Sequence, residues 1–322
     1  MITRRSMLLL SASLAGFPLL TRAQSYPTKP VKFIVATSAA TGTDAVARYI
    51  AGQLKNHFTQ PVVIENKDGA GGLIATEFTA RLPPDGYNVL ITNSAHFTYP
   101  WIYDKLGFDP QRDLSPVAVL VASQTVLIVP PNSPFNSVQD ILAEARRSPG
   151  KLSYAHGGNG SLTHIAGELM NLRASIKVNA VPYKAASQVV LDTMSGQVSM
   201  GYAGIASAIA NIKGGRLRAL AVTSQKRALS LPAVATMEES GVTDYDLSTP
   251  IFALVPSGTP SSVIGNLSDA IVAVASTPAF KEFCIAQGLE LDLLDAVAMR
   301  PYMPRMFSKW KSLVALASAK PT

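Results

Sequence analysis

One plan occurs twice in this chain, and it restricts the fold more than any other feature: an apolar run, a turn of small residues, then the first turn of a helix. The first copy is Val31-Lys32-Phe33-Ile34-Val35, the turn Ala36-Thr37-Ser38-Ala39-Ala40-Thr41-Gly42-Thr43, and a helix from Asp44. The second is Leu152 to His156, the turn Gly157-Gly158-Asn159-Gly160, and a helix opening at Ser161-Leu162-Thr163-His164. A continuous apolar strand followed by a helix is the unit of a parallel sheet covered on both faces. The first N–H groups of the helix have no internal partner and carry partial positive charge, so each turn is a place for a carboxylate or phosphate. Glycines allow close approach of the backbone, while Ser161 and Thr163 either cap the helix or offer hydroxyls. Placed on two lobes, the turns would face each other across a cleft.

The order of elements supports two such lobes. After the strand at 31–35 come a helix over 44–57, a strand over 61–66, a short helix ending near Arg81, the turn Pro83-Pro84-Asp85-Gly86 and a strand over 87–92. This alternation predicts parallel strands with right-handed crossovers and a ligand beyond their carboxyl ends, at connections 36–43, 67–72 and 93–97. A second array follows the strand at 126–129. Its helix over 137–147 opens with a Ser137/Asp140 capping box, and strands are predicted at 152–156, 197–202 and 217–223. Helices are predicted near 161–170, through Met194, over 206–213 and, briefly, over 237–240, before the apolar segment 251–255. The segments near 126 and 250 are read as crossing between lobes, with the C-terminal helices, bearing Trp310, returning to the first. The expected organisation is therefore α/β and two-lobed, with residues 24–126 plus 250–322 in one lobe, 127–249 in the other, and a hinge that permits closure.

Composition enters at two points. Hydrophobic residues make up 48% and charged residues 15%, which excludes a disordered chain. The basic head Arg4-Arg5, the apolar run over 8–20 and Thr21-Arg22-Ala23 form an export signal over 1–23, too short and broken to span a membrane. Its arginine pair leaves the Sec and twin-arginine routes both open. Its removal takes three arginines and no acid, lowering the formal charge from +7 to +4. Cys284 is the single cysteine, in an apolar helical stretch, so no internal disulfide forms and the thiol reads as a buried apolar group. The four histidines lack zinc spacing, no Gly-x-Ser-x-Gly elbow surrounds Ser161, and no phosphate loop occurs. His164 and Glu168 share a helix face with no third metal ligand in sight, so neither metal nor cofactor is expected. Clustered basic and aromatic residues of a nucleic-acid surface are absent. An exported hydrolase with dispersed triad residues is the competing class.

The chain resembles the Bug receptors, the extracytoplasmic solute-binding components of tripartite tricarboxylate transporters. The resemblance is carried by Tyr26-Pro27-Thr28-Lys29-Pro30, the segment 44–48, Val62-Val63-Ile64-Glu65-Asn66 with Gly69-Ala70-Gly71-Gly72, and Pro84-Asp85-Gly86-Tyr87. It continues through Pro149-Gly150-Lys151-Leu152, Gly160-Ser161 with His164, Val181-Pro182-Tyr183-Lys184 and the segment 217–223. It implies a periplasmic-binding-protein fold of type II, a Venus flytrap with two hinge strands. It also implies a soluble periplasmic receptor, monomeric, that captures a small carboxylate through backbone amides and hands it to membrane transporter subunits. The candidate ligand-binding residues are Thr37, Ser38, Ala40, Thr41, Ala70, Gly71, Ser94 and Ala95 on the first lobe and Gly158, Ser161, Thr163 and Ala203 on the second. Two departures from the family bear on the ligand: Ala39-Ala40-Thr41 replaces the usual Pro-Gly-Gly, and Tyr202-Ala203-Gly204 lacks the usual acid. Without that partner for an ammonium, a non-amino di- or tricarboxylate or an aromatic acid is expected.

Overall fold

The computed structural model describes residues 26–39, 41–158, 161–183 and 186–318; the segment 1–23 read as an export signal, Ala40, Asn159, Gly160 and Lys184 lie outside them. Strands β1 (Val31–Val35), β2 (Val62–Asn66) and β3 (Asn88–Asn93) are parallel and alternate with helices α1 (Gly42–Leu54) and α2 (Leu73–Ala80), as the strand–helix order predicts. A four-residue helix, α3 (Tyr99–Ile102), leads to β4 (Leu114–Val129), and α4 (Val138–Arg147) begins with the Ser137/Asp140 capping box. Then come β5 (Ser153–His156), α5 (Leu162–Ala174), β6 (Asn179–Pro182), α6 (Ala186–Met194), β7 (Met200–Gly204), α7 (Ile205–Lys213) and β8 (Arg218–Val222). The chain ends with β9 (Ser248–Pro256), α8 (Ser261–Ala275), α9 (Pro278–Gln287), β10 (Leu289–Leu294) and α10 (Ala296–Ser318).

The strands form one curled sheet in the order β2-β1-β3-β9-β4-β7-β5-β6, with β8 and β10 also paired to β4. β4 is the common member. Its first part pairs with β9 and β10, and its last part pairs with β7 and β8. β9 starts beside it, Ser248 against Gln124, and runs back through the first set of strands. Threonines stitch this waist: the fully buried Thr223 hydroxyl lies 2.8 Å from that of Thr125 and donates to the Leu247 carbonyl at 2.9 Å.

Among the described residues, three apolar clusters fill the faces. Val31, Phe33 and Val89 pack under α1, α8 and α9, with Phe280 and the buried Cys284; burial pushes the Cys284 thiol up to about 12. Val126, Ala155 and Ala203 pack under α6 and α7. The third cluster joins Ile34, Leu90 and Phe97 to Tyr154, Ile165 and Leu169 through Met306, Phe307 and Trp310 of α10. α10 therefore lies across both strand sets instead of returning to the first alone, because its apolar side is wide enough to meet α3 and α5. Residues 237–240 make only a single turn, closed by the Ser240 N–H to the Thr236 carbonyl at 3.0 Å, and no helix. Gly241, at φ 88°, follows at once and turns the chain away. β7 begins three residues later than the sequence pattern suggests. No single described helix is long and apolar enough to cross a membrane.

Candidate functional site

The register of the sheet determines where the connections sit. β3 is antiparallel to β9 and β9 to β4, so β3 and β4 run the same way, and Asn93 at the end of β3 lies level with Ile251 and, beyond it, Val121. β7 is antiparallel to β4, and its last residue, Gly204, pairs with Thr125. The carboxyl ends of the two strand sets therefore point toward each other. They stop four residues of β4 apart, ~13 Å at a strand rise of about 3.3 Å per residue. β1 and β2 are in register with β3, and β5 and β6 with β7, so the turns after all of them look into one gap.

On the first side, Thr41 caps α1 by accepting the Asp44 N–H at 3.3 Å, and its hydroxyl lies 2.7 Å from that of Thr37. Ser38 donates to Asp68 at 2.5 Å, tying the turn after β1 to the loop after β2. In that loop Gly69, Ala70, Gly71 and Gly72 all have positive φ. For Ala70 this conformation costs energy that the surroundings must offset. Two tyrosines hold it: Tyr103 donates to the Ala70 carbonyl at 3.1 Å and Tyr99 to the Gly71 carbonyl at 3.0 Å. A trans peptide sets its N–H opposite its carbonyl, so the Gly71 N–H points away from Tyr103. A Cβ on Gly72 would sit 3.0 Å from the Ala36 carbonyl, which explains the glycine there. Ser94 is buried, and the Ala95 N–H is held by Asn93 at 3.0 Å.

On the second side, Ser161 caps α5 through the His164 N–H at 3.2 Å, and its hydroxyl is 3.0 Å from that of Thr163. Thr163 in turn accepts the Gly157 N–H at 2.9 Å. Both hydroxyls thus shape the turn, and the capping role read from the sequence is realised. Gly158, at φ 104°, accepts from His156 Nδ1 at 3.0 Å and leaves room where a Cβ would stand. His156 is fully buried and stacks on His164 with ring centroids 4.5 Å apart; burial and that neighbour push it down to about 4. His164 is lowered too, mainly by burial. Glu168 accepts from Tyr154 at 2.6 Å, so the His164 and Glu168 side chains face other protein groups. Ala203 is buried among Val126 and Ala208 and pairs with Val126 one residue before the end of β7.

The structure thus brings Thr37, Ser38, Thr41, Ala70 and Gly71 together on one side and Gly158, Ser161 and Thr163 on the other; Ala40 lies outside the described residues. Sequence reasoning missed Asp68 and Asn66, which reach the first turn from β2, and the His156–His164 stack. The His156/His164 spacing across a strand–turn–helix unit was a usable signal for the stack. Nothing local marked Asp68.

Two lobes joined at a waist, with helix-opening turns from each facing a common gap, define a solute-binding receptor of the periplasmic-binding-protein class. The tripartite tricarboxylate transporter family receptor model matches residues 46–317, and the chain belongs to that family. Protein BugT of Bordetella pertussis (strain Tohama I) is 30% identical over 309 residues, 95% of this chain and 94% of its own length. The UPF0065 protein in the tcbD-tcbE intergenic region of Pseudomonas sp. (strain P51) is 34% identical over 262 residues, 80% of this chain and 78% of its own. Among solved structures, a TctC solute binding protein from Polaromonas without ligand superposes with a TM-score of 0.80 at 26% identity, covering 90% of this chain and 99% of that one. An R. palustris protein solved with adipate gives a TM-score of 0.77 at 28% identity, covering 92% and 100%.

Proposed function

We propose that this chain is a periplasmic receptor that takes a small carboxylate between its facing turns, closes over it, and delivers it to membrane subunits of a tripartite tricarboxylate-type transporter. The lobes are residues 24–126 plus 250–322 and 127–249. The ligand-contacting groups are the backbone and hydroxyls of Thr37, Ser38, Ala40, Thr41, Ala70, Gly71, Ser94 and Ala95 on one side, and of Gly158, Ser161, Thr163 and Ala203 on the other. The observation that carries this reading is the convergence of both sets of strand ends on Val121 to Thr125 of β4. The adipate-bound relative supports the ligand class. The favoured solute has no amino group: β7 ends in Ala203-Gly204 where an acid would receive an ammonium, and Asp68 already accepts from Ser38 and from the Gly69 N–H at 2.7 Å.

Closure follows from sharing one anion between lobes. Each hydrogen bond to a charged acceptor contributes about 1.5–3 kcal/mol, and only contacts made better in the closed form shift the balance toward it. Calorimetric titration of the mature chain with succinate, adipate, citrate, benzoate, aspartate and glutamate tests the proposal. One-to-one binding of a non-amino acid, recovered chemically unchanged, is expected. Tight binding of the amino acids alone overturns the ligand class, and turnover of an ester lost in Ser161→Ala would return the hydrolase reading.

A further inference from the structure

We infer that Arg48, which lies outside the ligand-facing turn, is a positioning residue for the anion: it balances the charge of the Asp44 carboxylate buried in the first turn of α1. This rests on the reading of residues 37–43 as half of an anion clamp.

Asp44 is the third residue of α1 and is 2% exposed. An acid in the first turn of a helix ordinarily interacts with the positive end of the dipole and neutralises it, in direct competition with an anionic ligand. Here one Asp44 oxygen accepts from Arg48 Nε at 2.9 Å and the other from Asn66 Nδ2 at 2.8 Å. Arg48 donates through a second nitrogen to Asn66 Oδ1 at 2.8 Å, which closes a ring of three side chains with no net charge. The ring is anchored to the turn, because Asn66 Nδ2 also donates to the Thr37 carbonyl at 3.1 Å. Asn66 ends β2 level with Val35, the last residue of β1, so the ring sits where the two connections leave the sheet. Without Arg48, a negative charge that water cannot reach would remain beneath the turn. With it, the Asp44 charge beneath the turn is cancelled.

The test is calorimetric titration of succinate, adipate, citrate and benzoate into the wild-type chain, Arg48→Gln, Arg48→Lys and the double variant Asp44→Asn/Arg48→Gln, with thermal unfolding as the folding control. Coupling between sites is commonly 5- to 150-fold, and Arg48→Gln should weaken binding by about tenfold, less so in high salt. Arg48→Lys should stay near wild type. The double variant, which lacks both charges and most of the ring, should recover to within about threefold of wild type. A purely structural role makes the double variant as weak as Arg48→Gln or weaker, and that result overturns the inference, as does an Arg48→Gln protein that binds like wild type. If Arg48→Gln does not fold, the double variant decides by the same threefold margin. A wild-type chain that binds none of the four acids removes the clamp itself, and the inference with it; a wild-type chain that binds one of them while Arg48→Gln matches it removes the inference alone.

Discussion

The waist is where a single hydroxyl should matter most. Thr223 has one hydroxyl hydrogen, and its best acceptor is the Leu247 carbonyl at 2.9 Å; it then accepts from the Thr125 hydroxyl at 2.8 Å and the Thr125 N–H at 3.2 Å. The residue is fully buried, so water does not replace these bonds. Thr223→Val keeps the shape and leaves at least two buried polar groups, the Leu247 carbonyl and the Thr125 hydroxyl, without their partner. At about 1–3 kcal/mol for each unsatisfied group, the loss is about 2–6 kcal/mol. Thr223→Ser keeps the hydroxyl and loses a methyl, worth about 1 kcal/mol. Urea unfolding should therefore rank Ser above Val, although Val is the more apolar residue. Thr125→Val/Thr223→Val should regain part of the loss, since removing both partners of a buried bond is milder than removing one. A Thr223→Val protein as stable as wild type, or more stable than Thr223→Ser, would refute the hydrogen-bonded waist.

Three further outcomes follow from burial, capping and backbone geometry. Burial holds His96 and His156 near a pKa of about 4 against 6.5 for a free histidine; the unfolded chain therefore binds protons the folded one refuses. Stability should be full above pH 6.5 and decline as the pH falls toward 4, and a melting temperature that stays flat from pH 6.5 to 5 contradicts this. Ser161→Ala removes the cap of α5 and should cost about 1 kcal/mol of stability together with carboxylate affinity, read by thermal melting and calorimetry; loss of neither removes Ser161 from the clamp. At the C-terminus of α9, Gly288 has φ 66° and a Cβ there would come within 2.9 Å of the Ala206 amide. Gly288→Ala should lower the melting temperature by several degrees, being strained both in backbone and in packing.

Local rules were enough for several elements of both lobes. The apolar runs at 31–35 and 62–66 became β1 and β2, and the Ser137/Asp140 capping box stands where its spacing put it, because strand burial and helix capping act within a few residues. The first half of β4 was not legible: Pro116 interrupts it, and the register slips beside that proline and again near Val119, so its strand character comes from β9 and β10. β10 itself, Leu289-Glu290-Leu291-Asp292-Leu293-Leu294, alternates clearly and was still missed; its pairing partner is about 170 positions earlier in the chain. In the candidate site the turns were visible as glycines and hydroxyls flanking helix starts. Asn66 and Asp68 were not, since both reach the first turn through the pairing of β1 with β2, and only the sheet register brings them there.

The central claim is that one anion is shared by main-chain amides of both lobes. A crystal structure of the chain with the tightest-binding acid of the calorimetric panel tests it most directly. The prediction is one carboxylate group accepting N–H bonds from residues 37–43 and from residues 157–163 at once. An acid held by one lobe alone, or bound outside the gap above Val121 to Thr125, would contradict it.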